Sequence, residues 1–271
     1  EKKQVLIKFS YGIISLLIVL GAMALLHALN INNIINLITI IAVVLPIIYF
    51  AIIFKSNKVS HSERRKVIAY IPLFLAAIIF WGIEESGAVV LALFAENRTV
   101  LHLGSWYFQA ANFQLLNPLF IMILTPIFVA LWNSWKKQPT APTKFAVGLG
   151  FAGLSYLVMA IPGALFGTSG RVSPLWLVLS WFIVEIGEML ISPIGLSVTT
   201  QLSPKVFKTQ MMSLWYLSDA VAQAINAQII RFYTPKTEVN YFIAVGIVSI
   251  VFGILLLFGV KKISALMGDS K

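Results

Sequence analysis

Cysteine is absent from this sequence, and only 11% of its 271 residues are charged. Without cysteine the chain can form no disulfide bond and carry out no thiolate chemistry. A soluble domain of this length carries roughly twice this charged fraction. Histidine is scarce too, and its three positions lie in loops or at the ends of apolar segments, at His27, His61 and His102. We therefore expect no histidine–carboxylate metal site within an apolar segment and, since no nucleophile–base pair stands out, no enzyme.

Long apolar runs dominate the chain instead. Hydrophobic residues make up 59% of it, and the mean hydropathy is +0.91. Most of the runs are near or above the roughly 20 residues that a helix needs to span the hydrocarbon core of a bilayer. This pattern predicts an all-α integral membrane protein. Its predicted membrane segments are residues 5–26, 34–54, 67–95, 107–132, 144–166, 174–202, 209–233 and 240–260.

The net charge of +10 could indicate a nucleic-acid partner or an anionic membrane surface. Its distribution favours membrane topology, because 16 of the 20 basic residues fall on one side of the predicted segments. The remaining four, on the other side, are Arg98, Arg171, Arg231 and Lys236. We therefore expect a multi-pass protein of the cytoplasmic membrane, with both termini of this segment in the cytoplasm and no nucleic-acid partner.

A basic linker at residues 55–66 separates the first two apolar segments from the other six. Apart from Lys8, neither of the first two segments carries a charge. We predict a two-helix transmembrane hairpin in residues 1–58, facing lipid at the periphery, followed by a six-helix bundle in residues 59–271. The chain begins with Glu and shows no signal peptide, so we expect it to start partway through a longer protein or after a removed tag.

Five of the ten acidic residues fall within predicted membrane segments, and no lysine or arginine lies in those interiors. A carboxylate at membrane depth costs about 2.5 kcal/mol or more, so it indicates function. Burial disfavours the charged form, so such a group could bind and release a proton, whereas an ionised one could bind a ligand's ammonium group. The five acids are Glu84, Glu85, Glu185, Glu188 and Asp219.

The segment at 174–202 is the centre of this arrangement. Pro193 follows Glu188 by five residues and cannot donate a backbone hydrogen bond, which frees the carbonyl of Met189. This predicts a bend beside a buried acid, a combination typical of a binding site in a membrane protein.

Glu84 and Glu85 lie about 100° apart on a helix, so at most one of them faces a given partner. Trp81 precedes Glu85 by four residues and shares its face. The acid pair lies either inside the bilayer or among the headgroups at the end of the helix. The apolar residues that continue beyond Glu85 favour the interior.

Two other segments carry polar side chains that permit two interpretations each. Asn117, beside Pro118, could present its amide to a cavity or hydrogen-bond a neighbouring helix. A polar stripe in the segment at 209–233 could line water or a polar helix; its members recur at helical spacing and are Trp215, Asp219, Gln223 and Asn226. We also expect Pro118 and Pro193 to loosen the helices that contain them.

Four stretches resemble the proton-dependent oligopeptide transporters, a family of the major facilitator superfamily. They are FWGIEESGAVVLALFAENRT (80–99), LNPLFIMILTP (116–126), SWFIVEIGEMLISPIGLSVTTQLSP (180–204) and QMMSLWYLSDAVAQAINAQI (210–229). The resemblance runs in order through nearly all of residues 67–260. It implies that these six helices are the carboxyl-terminal half of a major-facilitator fold, and that the pair at 5–54 is inserted between the two halves.

The resemblance also implies roles for single residues. Glu85 matches the acid of an FWxxxE pattern in the seventh helix that is implicated in proton coupling. Glu188 matches an acid of the tenth helix that contacts the amino terminus of the peptide. With the matching polar and aromatic positions, and Ser218, the predicted substrate-binding residues are Glu188, Asn117, Trp81, Trp215 and Ser218. The possible secondary site residues are Glu84, Glu185 and Asp219.

The implied function is proton-coupled symport of di- and tripeptides, with protons as the coupling ion and no other cofactor. The implied partners are the peptide, the lipid bilayer and the amino-terminal six-helix half of the same transporter, whose ExxERFxYYG motif is absent from this sequence. The alternatives are a transporter of another small substrate, such as an amine drug or nitrate, and a non-transporting membrane scaffold. A channel fits less well, because acids scattered over different helices do not form a symmetric ring.

Overall fold

The structure is a computed structural model that describes residues 2–268. Its helices are α1 (Lys2–Leu25), α2 (Ile31–Lys55), α3 (His61–Glu84), α4 (Val90–Arg98), α5 (Leu116–Ser134), α6 (Ala141–Phe166), α7 (Leu175–Leu202), α8 (Lys208–Ile229) and α9 (Glu238–Met267). Two short antiparallel strands, β1 (His102–Leu103) and β2 (Trp106–Tyr107), form a hairpin between α4 and α5. The predicted all-α membrane fold is confirmed.

Six helical segments within residues 2–268 are long and apolar enough to cross a membrane. They are Ile31–Lys55, His61–Arg98, Ala110–Ser134, Ala141–Phe166, Leu175–Leu202 and Glu238–Met267. The apolar part of α1, Ser10–Leu25, is shorter than these six. Helix α8 also falls outside this set, since polar side chains such as Asp219 and Gln223 lower its hydropathy. Length and apolarity alone therefore identify fewer spans than the eight predicted.

The chain divides into two compact units, Glu1–Ile41 and Ala42–Lys271. In the first, α1 ends in a turn at which His27 has a φ of 53°. Asn30 then accepts the backbone N–H of Asn33 at 2.9 Å and so caps the start of α2. The predicted domain boundary after residue 58 stays a prediction.

Within the second unit, the remainder of α2 packs on the bundle. Ile53 is fully buried, and the Phe50 ring meets the rings of Tyr70 and Phe74 at centroid distances of 6.4 and 5.5 Å. Ala42 packs against Val221 and its neighbours on α8. This half of α2 therefore does not face lipid all round. Its uncharged sequence had led us to expect that it would.

Helix α6 is the central helix of the second unit and lies against both α7 and α9 at close range. Gly148 leaves no room for a Cβ beside the backbone carbonyl of Gly187 on α7. Gly153 lies even closer to the backbone carbonyl of Gly246 on α9. Small residues at such crossings let helix backbones approach, which is the usual basis of helix association in membranes.

The third predicted segment is not one continuous helix, which corrects the sequence interpretation. Helix α3 ends at Glu84, residues 85–88 form a 3-10 turn, and Val89 has φ −123° and ψ −67° before α4 begins. The Ser86 hydroxyl donates to the carbonyl of Ile83 at 2.7 Å and is also bonded to the Tyr156 hydroxyl. The helix is therefore broken at the acid pair, next to a Ser-Gly sequence of the kind that permits kinks.

The fourth predicted segment also begins later than expected. Residues 107–115 comprise the end of the hairpin and a 3-10 segment, Ala110–Leu115, so the α-helix starts only at Leu116. Pro118 consequently lies in the first turn of α5, where a backbone N–H has no acceptor within the helix. At this position Pro118 removes no hydrogen bond of α5, contrary to the prediction that it loosens the helix. The prolines that lie inside their helices are Pro126 in α5 and Pro193 in α7.

A buried ion pair connects the end of α4 to the start of α9. Arg98, at the end of α4, donates to the Glu238 carboxylate at the start of α9, with Nε 3.1 Å from Oε2. Its Nη2 also donates to the Gly167 carbonyl after α6 at 2.6 Å. The two charged side chains are only 5% and 1% exposed. Arg98 therefore ties three chain segments together at the point where α4 ends.

Neutralising one member of this pair should destabilise the bundle. In Glu238→Gln the Arg98 guanidinium stays buried but loses its counter-charge. Removing one partner of a buried pair costs about 3–5 kcal/mol. We therefore expect the thermal unfolding midpoint of the intact protein in detergent to fall clearly.

The matched control is Glu96→Gln, which removes an exposed acid two residues from Arg98 and should leave the midpoint unchanged. The double variant Arg98→Met/Glu238→Gln removes both charges and should recover part of the loss. An equal midpoint for Glu238→Gln and Glu96→Gln would show that the pair contributes no stability.

Candidate functional site

Three carboxyl groups meet inside the second unit. Glu84, Glu185 and Glu188 each place one carboxylate oxygen within 4.8 Å of the others. Glu84 is the last residue of α3, at the break described above. Glu185 and Glu188 are three residues apart on α7 and so share one face of that helix. We call these three residues the acid cluster.

The three acids differ in burial and in hydrogen bonding. Glu84 is buried, and its Oε1 accepts a hydrogen bond from Asn117 Nδ2 at 2.5 Å. Glu185 is fully buried, and neither of its oxygens has a hydrogen-bond partner. Glu188 is half-buried, and its Oε2 is buried without a partner. Burial of an acceptor without a donor costs free energy, so the cluster requires a positively charged or donating group.

A polar cavity of about 210 Å³ opens beside the cluster. It is lined by Glu84, Glu85, Ala88, Gln114, Asn117 and Trp181. The Gln114 amide donates to the carbonyl of Gly87 at 2.9 Å and so satisfies a backbone group that the helix break leaves free. The cavity thus gives Glu84 and Glu85 a common polar environment.

Three aromatic side chains form a cluster near the break. The rings of Trp81 and Trp215 meet edge to face with centroids 6.4 Å apart, and the rings of Phe145 and Trp215 meet in the same way at 6.4 Å. Gly195 on α7 lies directly against the Trp215 ring. Trp81 is half-buried and its indole N–H has no partner, whereas Trp215 is buried.

The members of the polar stripe predicted on α8 have different partners. Asp219 is half-buried and accepts a hydrogen bond from Gln223 at 3.0 Å. Asn226 donates to the Gly82 carbonyl of α3 at 2.8 Å, so it contacts a neighbouring helix. Ser218 is fully buried, and its hydroxyl donates to the Trp215 carbonyl of its own helix. The structure therefore places Ser218 in the packed interior, and we leave it out of the set proposed below to contact substrate.

Sequence reasoning identified the acids but not how they group. Glu84, treated as secondary, lies in the acid cluster, whereas Glu85 lines the same polar cavity as Gln114 and Asn117. Gln114 was not predicted as a site residue. The Ser86-Gly87 pair was the sequence signal that could have indicated the break after Glu84. The break gives Glu84 and Glu85 different neighbours and leaves free the Gly87 carbonyl to which Gln114 donates.

No lysine, arginine or histidine with a described side chain forms an ion pair with the acid cluster; the ion pair seen in this part of the chain is Arg98–Glu238. The cluster must therefore take positive charge from elsewhere, as a proton, an ammonium group or a metal cation. The sequence analysis predicted that no histidine–carboxylate metal site lies within an apolar segment. This absence stays a prediction.

These features define a class: a polytopic α-helical membrane protein with a broken helix and a cation-deficient acidic site, the arrangement expected of a solute transporter. The family model described as the POT family matches residues 5–248, and the chain belongs to this family. The resemblance seen in the sequence is thereby confirmed.

Relatives and solved structures agree with this assignment. The di-/tripeptide transporter of Lactococcus lactis subsp. lactis is 50% identical over 232 residues, which cover 83% of this chain and 46% of the relative. A crystal structure of the peptide transporter POT in complex with sulfate matches with a TM-score of 0.92 at 47% identity, covering 98% of this chain and 54% of that chain. A POT family transporter in complex with 5-aminolevulinic acid matches with a TM-score of 0.88 at 37% identity, covering 97% and 55%. The chain thus spans about half the length of these proteins.

The break in the third segment depends on Gly87, because the Trp181 ring packs directly against this residue. In Gly87→Ala the added methyl group would overlap that ring and force it to move. Overpacking of this kind costs about 1–3 kcal/mol. We expect a lower thermal unfolding midpoint and an altered tryptophan emission spectrum in the intact protein.

Gly150→Ala is the matched control, because no atom lies within 4 Å of the position that its Cβ would occupy. This variant should be as stable as the wild type or more stable by about 0.5–1 kcal/mol. If the two alanine variants unfold at the same temperature, Gly87 is not required for the break.

Proposed function

We propose that this chain is the carboxyl-terminal half of a proton-coupled symporter of di- and tripeptides. The observation that carries the proposal is the acid cluster, which lies among membrane helices without a counter-charge among the described residues. The membership in the POT family supports it, as does the likeness to a protein named as a di-/tripeptide transporter. The other half of the protein would supply the remaining helices and the missing basic residues.

The substrate site would form where the acid cluster faces the other half. Glu188 is the half-buried member of the cluster, so its carboxylate is the one best placed to accept a peptide's ammonium group through a charge-assisted hydrogen bond. Asn117 already orients Glu84 next to it. Trp81, half-buried with an unpaired indole N–H, offers a further donor. Basic residues of the other half would hold the peptide carboxylate.

Proton coupling would use Glu85. This residue is half-buried and faces the polar cavity at the helix break. A proton on Glu85 removes a negative charge next to Glu84 and so changes how the break interacts with its surroundings. Such a change biases an equilibrium between outward- and inward-facing states if the two states differ in their affinity for the proton.

We place the protein in the cytoplasmic membrane with both ends of this segment in the cytoplasm. The bias of basic residues supports this orientation. It puts the Arg98–Glu238 pair on the outer side, and the basic residues that flank the start of α3, among them Lys58, Arg64 and Arg65, on the inner side.

A second candidate is a different small amino-bearing substrate. One observation favours it: a similar POT family transporter was solved in complex with 5-aminolevulinic acid, which has both an amino and a carboxyl group. The acid cluster would hold its ammonium group in the same way. A non-transporting scaffold is the remaining alternative.

The test is uptake of a labelled dipeptide by the full-length transporter in liposomes, with and without an inward proton gradient. Glu85→Gln should abolish the stimulation by the gradient, because its side chain cannot bind the proton. Glu188→Gln should weaken uptake at low substrate concentration by roughly tenfold or more, the effect expected from losing a hydrogen bond to a charged group.

Glu96→Gln, an exposed acid outside the site, is the control and should transport like the wild type. Competition between the labelled dipeptide and unlabelled dipeptide, amine or 5-aminolevulinic acid would identify the preferred substrate. Uptake that ignores the gradient and both site substitutions would contradict the mechanism, and absence of any flux would favour a scaffold.

A further inference from the structure

We propose that Glu185 and Glu188 hold one proton between them, with Glu185 as the protonated member that donates to Glu188. Glu185 would thereby be a positioning residue that keeps Glu188 ionised. The inference starts from geometry: Glu185 and Glu188 lie on one face of α7, both within the acid cluster.

Glu185 cannot be an isolated carboxylate in this position. It is 0% exposed, and neither of its oxygens receives a hydrogen bond. Oε2 of Glu188 is buried and unpartnered as well. An ionised carboxylate is an acceptor only, whereas a protonated one is also a donor. One proton on this pair therefore gives a partner to both residues at once.

The third acid decides where the proton resides. Three carboxylates within 4.8 Å of one another repel, and burial adds to the cost of ionising them. Glu84 has the Asn117 amide as a donor at 2.5 Å, which favours its charged form. Glu188 is only half-buried, so ionising it costs less than ionising the fully buried Glu185. Glu185 is fully buried, and the Asn117 amide that also acts on it is already bonded to Glu84, so the proton is most favourable on Glu185.

The acidic groups on neighbouring elements reinforce this assignment. Glu84 of α3 belongs to the cluster, and Glu85 follows it in the 3-10 turn. Asp219 of α8 lies close enough to act electrostatically on Glu84 and Glu85. All three are negative or neutral, so they favour protonation of the pair rather than opposing it.

Among the residues that the structure describes, no basic side chain of the elements packed against α7 forms an ion pair with Glu185 or Glu188. Helix α5 has no titratable side chain and contributes Asn117. On α6 the Tyr156 hydroxyl is bonded to Ser86. Lys144, at the start of α6, is held elsewhere: its Nζ donates to Gln138 at 2.8 Å and lies 4.0 Å from the centre of the Trp132 ring.

The consequence for substrate rests on the proposed function. An ionised Glu188 that receives a hydrogen bond from Glu185 is oriented and charged for an incoming ammonium group. Without the donor, the proton of the pair would pass to Glu188 and neutralise it. Glu185 would thus control the charge of the substrate-binding acid without touching the substrate.

The direct test is infrared spectroscopy of the full-length protein in detergent near neutral pH, with no substrate present. A protonated carboxylic acid has a carbonyl stretching band that shifts in D2O. We expect Glu185→Gln to lose the intensity of one such group. Glu96→Gln, which alters an exposed acid, should keep the wild-type spectrum.

Two results would overturn the proposal. In one, the band has the same intensity in Glu185→Gln and in the wild type. In the other, the band appears only after treatment with a chelator, which would place a metal cation rather than a proton among the acids. Neither measurement depends on peptide transport, so failure here and failure of the uptake test are distinguishable.

A second measurement separates positioning from packing. Dipeptide binding to the full-length protein should be about tenfold weaker in Glu185→Leu than in Glu185→Gln, because only the amide can donate to the Glu188 carboxylate. Calorimetric titration would give both dissociation constants. Equal constants for the two variants would show that Glu185 only fills space, against the proposal.

Discussion

Negative charge buried without a counter-charge is the constraint on which this structure depends. A carboxylate among membrane helices is tolerated only where it binds a proton, a cation or a donor. Of the acids in the second unit, Glu238 meets that condition with Arg98 from its own chain. In the acid cluster only Glu84 has such a partner, the Asn117 amide, and no basic side chain of the described residues forms an ion pair with the cluster, so its positive charge has to come from elsewhere. The difference separates an acid that stabilises the fold from acids available for function.

The broken third segment solves a related problem for the backbone. Peptide groups at membrane depth need hydrogen-bond partners within the protein. At the break, Gln114 donates to the Gly87 carbonyl, and the Ser86 hydroxyl donates to that of Ile83. These partners come from side chains of the break and of the neighbouring 3-10 segment. Irregular backbone and acidic side chains thus occupy the same place, where a polar cavity accommodates both.

Rigid packing surrounds this polar region. Helix α6 lies against α7 and α9 through glycines, so the backbone that carries Glu185 and Glu188 is held at close range. The Arg98–Glu238 pair fixes the end of α4 in the same unit. Between these two fixed points lie the 3-10 turn and the acids Glu84 and Glu85. The site that we propose to change its charge state therefore lies between closely packed parts of the bundle.

The sequence by itself determined the membrane class, the positions of the buried acids and the family, because apolar length and local motifs are properties of neighbouring residues. It did not reveal the break after Glu84, since a Ser-Gly pair is compatible with a continuous helix until Tyr156 and Trp181 pack on it. It also did not show that Glu84 joins Glu185 and Glu188, or that Ser218 is buried. Those distances depend on how α3 and α7 cross, and only the tertiary structure decides that crossing.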